Sequence, residues 1–126
     1  MELTKRLLLL ALGGALGTVA RYGLNGLVAQ RMPTFPLGTL VVNFSGCFLI
    51  GLLAPLALRP EWRLFLMVGF CGGYTTFSSF SLQTFDLARD GEWLAVAVNV
   101  IGTNVLCLLG VYLGVVCGRL LHGGTS

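Results

Sequence analysis

The chain has 126 residues, of which 56% are hydrophobic and only 10% are charged, and its mean hydropathy is +0.87. This balance excludes an ordinary soluble globular domain and indicates a membrane protein. The net charge of +3 is small, and no run of cations is longer than the pair Lys5 and Arg6, so an extended nucleic-acid-binding surface is also excluded.

Four segments are long and apolar enough for membrane-spanning helices, because a bilayer core takes about 20 residues of helix. They cover about residues 7–28, 37–58, 64–85 and 93–118. The connections between them are short and contain the proline, glycine and charged residues that end helices. We therefore predict an all-α membrane protein, with a single four-helix transmembrane domain over residues 1–126 that contacts the lipid bilayer directly.

Several spans contain glycines that are four residues apart. Small residues at this spacing allow helix backbones to approach closely within a membrane. The pattern predicts tight helix packing at three rows of glycines, namely Gly13 and Gly17, Gly69 and Gly73, and Gly110, Gly114 and Gly118.

The third span contains a polar interruption over residues 72–81, whose sequence is Gly-Gly-Tyr-Thr-Thr-Phe-Ser-Ser-Phe-Ser. In lipid, every backbone N–H and C=O group must be satisfied internally, so such a break is tolerated only where protein or water lines it. We predict a broken third helix, in which the break forms a pore-lining or ion-binding element. Phe77 and Phe80 follow the break with the i, i+3 spacing of neighbours on one helix face.

Other polar side chains lie within the spans, where each is costly unless it faces a partner or an aqueous cavity. They are Arg21, Asn25, Asn43, Ser45, Asn99, Thr103 and Asn104. In the fourth span, Asn99, Thr103 and Cys107 repeat every four residues along one face, which we call the polar track. Interhelical hydrogen bonding is the alternative explanation for any single Asn or Thr. Polar residues at similar depth on three spans favour a conduction path.

The side chains around this path favour a small anion as the permeant species. No Asp or Glu lies deep in a span, so the acidic rings of many cation pores are missing. Hydroxyl and amide groups can donate hydrogen bonds to an anion, and the positive ring edges of Phe77 and Phe80 can also face one. Two phenylalanines at this spacing more often indicate ordinary helix packing.

The nucleophilic and metal-binding side chains form no recognisable site in the sequence. Four cysteines lie in apolar runs, with no C-x-x-C motif and no histidine nearby, and we interpret them as small core residues. The sole histidine, His122, lies in the glycine-rich tail, away from the serines of the spans. A Ser-His pair is therefore not supported, and we predict that the protein is not an enzyme.

Three motifs together resemble those of the Fluc/CrcB fluoride channels. They are residues 72–81 in the third span, Gly38-Thr39-Leu40-Val41-Val42-Asn43 in the second, and Ala20-Arg21-Tyr22 in the first. The resemblance covers the whole chain in length, number of spans and order of motifs. It implies an antiparallel, dual-topology homodimer with two fluoride pores and one structural sodium ion, Na⁺, at the dimer interface.

The resemblance also implies roles for individual residues of the third and second spans. The backbone carbonyl groups of Gly72 and Thr75 from both subunits would hold the sodium ion. Phe77 and Phe80 would be the aromatic fluoride ligands, and Asn43 would provide a pore-facing amide.

Further residues are placed on or near the fluoride pore by the same resemblance, and these are Ser78, Ser79 and Thr103. Arg21 matches a family arginine, and Thr76 lies inside the motif, but neither receives a defined role. Cys107 lies at a position of the polar track where some relatives have serine. The sequence therefore does not define which residues form the end of the fluoride pathway.

The function implied is passive, fluoride-selective export that relieves fluoride toxicity, in a multi-pass protein of the bacterial plasma or inner membrane. A fluoride/proton antiporter shares this substrate and stays open as an alternative. A dual-topology small multidrug exporter is a second alternative, but it requires a carboxylate deep in a span, and none is present. The cations outside the spans divide unequally between the two sides, which favours dual insertion less than an even division would.

Overall fold

The computed structural model describes residues 1–123, and its regular secondary structure is entirely helical. The helices are α1 (Leu3–Ala29), α2 (Leu37–Leu53), α3 (residues 60–74), α4 (Phe77–Arg89) and α5 (Trp93–Leu121). Because α3 and α4 are two halves of the third span, the protein has four helices, one of them broken. The predicted all-α membrane fold is confirmed.

Helices α1 and α5, with 27 and 29 residues, are long and apolar enough to cross a membrane. At 1.5 Å per residue, helices of this length extend about 40 Å, which exceeds the hydrocarbon core of about 30 Å. Helix α2 ends earlier than its apolar run, at Leu53. The run continues through a turn that contains Pro55, in which Leu56 N–H donates to Leu53 O at 3.1 Å.

Helix α3 is not a regular α-helix along its whole length. Pro60–Trp62 and Gly72–Tyr74 are α-helical, whereas Arg63–Cys71 has the hydrogen bonding of a π-helix. π-Helical segments are rare, and they are frequent at functional sites. The apolar pattern of the sequence does not distinguish the two helix types, so this segment was not predictable from it.

Two pairs of helices pack through the predicted glycine rows. A Cβ atom at Gly17 of α1 would collide with the carbonyl oxygen of Phe70 in α3. A Cβ atom at Gly114 of α5 would collide with the carbonyl oxygen of Phe48 in α2 and lie 2.8 Å from the amide nitrogen of Leu52. The backbones approach this closely only because these positions have no side chain. The predicted tight packing is confirmed.

We call these contacts the glycine seams and define them by the glycines that form them. The α1–α3 seam consists of Gly13, Gly17, Gly69 and Gly73, and the α2–α5 seam consists of Gly110, Gly114 and Gly118. At one end of the bundle, Lys5 Nζ lies 3.9 Å from Glu61 Oε1. The start of α1 and the start of α3 are therefore on the same side of the membrane.

Candidate functional site

The third span is interrupted at Thr75 and Thr76, between α3 and α4. Both threonines have extended backbones, with φ and ψ of −84° and 154° for Thr75 and −147° and 114° for Thr76. Thr75 stays attached to α3, because its N–H and its Oγ1 both donate to Cys71 O, at 3.0 and 2.9 Å. Thr76 caps α4, since its Oγ1 accepts from Ser79 N–H at 3.1 Å.

The break removes the helical donors of several backbone carbonyl groups, including those of Gly72 and Thr75. In a continuous α-helix, the N–H groups of Thr76 and Ser79 would donate to the carbonyl oxygens of Gly72 and Thr75. Instead, Thr76 N–H donates to Asn43 Oδ1 at 2.7 Å, and Ser79 N–H donates to Thr76 Oγ1. A Cβ atom at Gly72 would meet no other part of the chain within 4 Å. The Gly72 side of the break therefore faces open space.

This arrangement fits a hard cation, for which oxygen atoms are the preferred ligands. Within residues 1–123, no group of three or more His, Cys, Asp and Glu side chains could hold a metal ion. The donor set available at the break is backbone carbonyl oxygen, which binds a cation without adding negative charge at membrane depth.

Asn43 of α2 secures the break from one side. Its Oδ1 accepts from Thr76 N–H, and its Nδ2 donates to Thr76 O at 2.9 Å, so the amide pairs with both backbone groups of one residue. The side chain is buried, and one amide hydrogen remains after these two bonds. Asn43 thus maintains the break, and it also has a donor left for a ligand.

A cavity of about 660 Å³ lies beside the break and brings together most of the predicted site residues. Those that line it are Asn43, Gly72, Thr75, Thr76, Phe77, Phe80, Thr103 and Cys107. Three predicted residues, Ser78, Ser79 and Arg21, are not among the lining residues. Ser78 is exposed and pairs with Thr76 through their hydroxyl groups, 3.2 Å apart.

Phe77 and Phe80 lie next to each other at the wall of this cavity. Their ring centroids are 5.4 Å apart, and the planes are inclined by 46°. Phe80 is 7% exposed, whereas Phe77 is 76% exposed. The inner ring is therefore fixed by the chain's own packing, while most of the outer ring is uncovered.

The polar track divides into two parts with different surroundings. Asn99 is 2% exposed, and its Nδ2 donates to Thr84 Oγ1 of α4 at 2.9 Å. Thr103 Oγ1 donates to Asn99 Oδ1 at 3.3 Å. Asn99 is therefore an interhelical hydrogen-bonding residue, which is the alternative explanation for such residues. Thr103 and Cys107 of the same face do reach the cavity.

Three residues that contribute to the site were missed in the sequence. Thr84 links Asn99 to the aromatic pair, because its hydroxyl donates to Phe80 O at 2.7 Å. Gly46 leaves room for the Thr75 methyl group, which a Cβ at position 46 would contact too closely. Gly46 follows Asn43 by one helical turn, so it shares that face of α2, a pattern that could have indicated it.

Thr18 is the third missed residue, and it binds the same backbone oxygen of the break as Arg21. Arg21 Nε donates to Gly73 O at 3.1 Å, and Thr18 Oγ1 donates to the same oxygen at 3.4 Å. Arg21 is half-buried. Both side chains belong to α1, so α1 and α2 both bind the backbone of the broken span.

Sequence comparisons relate this chain to a family of membrane proteins. A profile of the family described as "CrcB-like protein, Camphor Resistance (CrcB)" matches residues 8–115. The chain is 50% identical over 122 residues to the "Fluoride-specific ion channel FluC" of Paramagnetospirillum magneticum, covering 90% of this chain and 95% of that protein. It is 50% identical over 125 residues to the protein of the same name from Rhodospirillum rubrum, covering 93% and 97% of the two chains.

A third relative of that name, from Opitutus terrae, is 55% identical over 116 residues, which cover 85% of this chain and 87% of the relative. These matches extend across all four spans, including the break, and they agree with the family that the motifs indicated. The chain belongs to the CrcB (FluC) family.

Proposed function

We propose that this protein is a passive, fluoride-selective ion channel of the cell membrane. The observation that supports this most directly is the cavity beside the helix break, where Phe77, Phe80 and Asn43 meet. The relatives described above, which are about half identical to this chain, are named as fluoride-specific ion channels. The protein would let fluoride leave the cell and so relieve fluoride toxicity.

The chemistry of the cavity suits a small anion that has lost part of its water. Two groups can face such an ion, namely the remaining amide hydrogen of Asn43 and the positive edges of the phenyl rings. No acidic side chain is among the residues that line the cavity in the described chain, so an anion meets no repulsive charge there. The hydroxyl of Thr103 donates to Asn99 Oδ1, so in this arrangement its hydrogen is not directed to the anion.

The functional unit that we propose is a homodimer of two chains in opposite membrane orientations. The exposed ring of Phe77 and the open space at Gly72 support a second copy on this face. Two inverted copies would supply the internal symmetry that other transporters obtain from inverted repeats. A structural sodium ion would then be held by the carbonyl oxygens of Gly72 and Thr75 from both subunits.

Passive conduction is sufficient for export, because the membrane potential acts on the anion directly. Moving one charge across the membrane is worth about 2.3 kcal/mol per 100 mV, and a negative interior drives fluoride outward. No acidic side chain lies deep in a described span, where it could couple a proton to this movement, which favours a channel over an antiporter.

The test is fluoride efflux from potassium-loaded liposomes that contain the purified protein, measured with a fluoride electrode. A channel moves net charge, so efflux should stop early until valinomycin provides a path for potassium. Chloride in place of fluoride should give little flux under the same conditions. Fast efflux without valinomycin would indicate the fluoride/proton antiporter, and no fluoride efflux would remove the proposal and leave the multidrug exporter to be tested.

Dual topology is tested separately by chemical labelling. A cysteine replaces Glu2 in a variant that lacks the four native cysteines, and a membrane-impermeant maleimide is added to one side or to both sides of sealed vesicles. We expect each side to label part of the protein, with the two fractions summing to the total. Complete labelling from one side would contradict the antiparallel dimer but would leave fluoride conduction standing.

A further inference from the structure

Arg21 is the only ionisable side chain deep within a span of the described chain that carries a permanent charge. It takes part in neither of the two ion pairs found in residues 1–123, which are Lys5–Glu61 and Arg89–Asp86. A cation at membrane depth is costly unless a partner compensates it. Its partner is the backbone oxygen of Gly73, to which Nε donates at 3.1 Å.

The Gly73 carbonyl group needs an external donor because of the break. In a continuous helix, Phe77 N–H would donate to this oxygen, but α4 begins at Phe77 after two extended residues. Thr18 Oγ1 also donates to it, although its 3.4 Å contact is longer than a typical hydrogen bond of a hydroxyl. The guanidinium group is therefore the main replacement for the lost amide donor.

The charge of Arg21 also suits its position. The last carbonyl groups of a helix carry a partial negative charge, which a nearby cation stabilises. Helix α3 ends at Tyr74, so the Gly73 oxygen is one of these groups. Arg21 thus acts as a charged side-chain cap at the C-terminal end of α3, in the interior of the bundle.

The two neighbouring glycines of the break have different surroundings. A Cβ atom at Gly73 would collide with Gly14 O of α1, whereas one at Gly72 would meet nothing within 4 Å. The Gly73 oxygen is bound by α1 through Arg21, and Thr76 is bound by α2 through Asn43. Along the chain, Gly72 directly precedes the bound Gly73, and Thr75 directly precedes the bound Thr76.

We infer that Arg21 is a positioning residue for the cation site: by fixing the Gly73 carbonyl group against α1, it directs the Gly72 and Thr75 carbonyl oxygens toward the cation. This inference rests on the proposed sodium site. Arg21 does not line the cavity, so its action is on the backbone of the break and not on the permeant anion. A planar guanidinium can hold this geometry in a way that the flexible ammonium of lysine does not.

The test measures sodium binding without relying on conduction. The melting temperature of the purified protein in detergent is recorded as Na⁺ replaces N-methyl-D-glucamine at constant ionic strength. An ion that binds only the folded state raises the melting temperature in proportion to the logarithm of its concentration above the dissociation constant. In Arg21→Gln, we expect the Na⁺ concentration at which this rise begins to increase by at least about tenfold, as for the loss of one charge-assisted hydrogen bond.

Arg31→Gln is the matched control, because it makes the same charge change at an exposed position just beyond α1. Its sodium response should equal that of the wild type. Arg21→Lys keeps the charge but not the fork of donors, and we expect a smaller shift in the same direction. If Arg21→Gln does not fold, Arg21→Lys and Thr18→Val, which removes the longer bond, provide the same comparison.

Fluoride efflux adds an independent readout. Flux through Arg21→Gln should be low at low Na⁺ and recover at high Na⁺, because the variant weakens the site without removing its ligands. Unchanged sodium responses in all folded Arg21 variants would overturn the inference while leaving the sodium site intact. A wild-type protein that conducts fluoride but shows no sodium-dependent melting would overturn the sodium site itself, and the inference with it.

Discussion

Glycines have opposite roles in the glycine seams and at the helix break. In the α2–α5 seam, Gly114 brings two helix backbones into direct contact, because a Cβ there would collide with Phe48 O. At the break, a Cβ at Gly72 would meet nothing within 4 Å, and the N–H group that would donate to the Gly72 carbonyl group in a continuous helix donates to Asn43 instead. The same residue type therefore closes the bundle in one region and opens the backbone in another.

The adjacent pair Gly72 and Gly73 contains both roles. Gly73 packs against Gly14 as the last member of the α1–α3 seam, and Gly72 faces the open side. Together, these two glycines show how a membrane protein can expose polar backbone groups at membrane depth. The seams pack the span closely up to the break, and side chains from α1 and α2 bind the Gly73 carbonyl group and both backbone groups of Thr76.

The largest effect is expected where the seam is closest. Gly114→Leu should abolish folding, because the added side chain meets the α2 backbone, which cannot move aside without losing its own hydrogen bonds. Size-exclusion chromatography in detergent should show no monodisperse peak. The control is Gly102→Ala on the same helix, where a Cβ meets nothing within 4 Å, and alanine is favoured over glycine by up to about 1 kcal/mol. A normal peak for Gly114→Leu would contradict the close packing described for this seam.

Substitutions in the aromatic pair Phe77 and Phe80 test the open side of the helix break without changing the glycine seams. Phe80→Ile keeps an apolar side chain but removes the ring edge, so fluoride efflux from liposomes should fall by at least about tenfold, equivalent to 1.4 kcal/mol in the barrier. The elution volume should not change. Phe85→Ile is the matched control, since Phe85 is on the same helix and is 62% exposed. Wild-type flux in both Phe77→Ile and Phe80→Ile would make this pair ordinary packing residues.

The support of the break by α2 is tested with Asn43→Asp. The carboxylate still accepts from Thr76 N–H, but it no longer donates to Thr76 O, so two oxygens face each other in a buried position. We expect a loss of about 1–3 kcal/mol in stability and severely impaired efflux. Asn104→Asp makes the same change at an exposed residue bonded within its own helix, and its melting temperature should change much less. Equal melting temperatures of the two variants would argue against the Asn43–Thr76 pairing.

A smaller effect is expected at the contact between Gly46 and Thr75. A Cβ at position 46 would collide with the Thr75 methyl group and lie 3.1 Å from Tyr74 Cδ1, so Gly46→Ala should lower the melting temperature. Thr75→Ser removes the methyl group, keeps the hydroxyl bond to Cys71 O, and should change little by itself. The double variant should recover part of the loss, with a coupling energy of about 0.5–3 kcal/mol. Strict additivity would show that the two side chains do not meet.

The smallest effect is expected at the surface, away from both regions. A hydrogen bond with its own backbone N–H, together with the charges of Lys5 and Arg59, lowers the pKa of Glu61 below 4.5 despite partial desolvation. A lowered pKa means that the stabilisation is present above pH 4.5 and is lost as the pH falls through the folded-state value. Glu61→Gln should therefore lower the melting temperature slightly at neutral pH, and the difference should disappear in acid. A difference that grows in acid would contradict the direction of this shift.

Much of the fold was predictable because it depends on local composition and spacing. Membrane insertion selects apolar segments of fixed length, so the four spans follow from the sequence alone. The break follows from a run of glycine and hydroxyl residues inside an apolar segment, and the glycine rows follow from four-residue spacing. The same motifs indicated the CrcB family, which the comparisons confirm.

The tertiary structure decided which polar groups meet. Asn43 pairs with Thr76, which is 33 positions away, and Arg21 binds Gly73, which is 52 positions away. The spacing of residues within a single helix cannot indicate pairs that are this far apart in the sequence. For the same reason the sequence placed Asn99 on the path of an anion, whereas in the structure it is buried and bonded to Thr84.

The two glycines of the break illustrate this division most clearly. Their sequence determined that the backbone could bend and pack closely at this point, because neither residue has a side chain. Only the positions of α1 and α2 decided that Gly73 would be bound and Gly72 left open. Hydrogen bonds at membrane depth must be satisfied by whichever groups packing brings near, and that choice is made by the folded bundle as a whole.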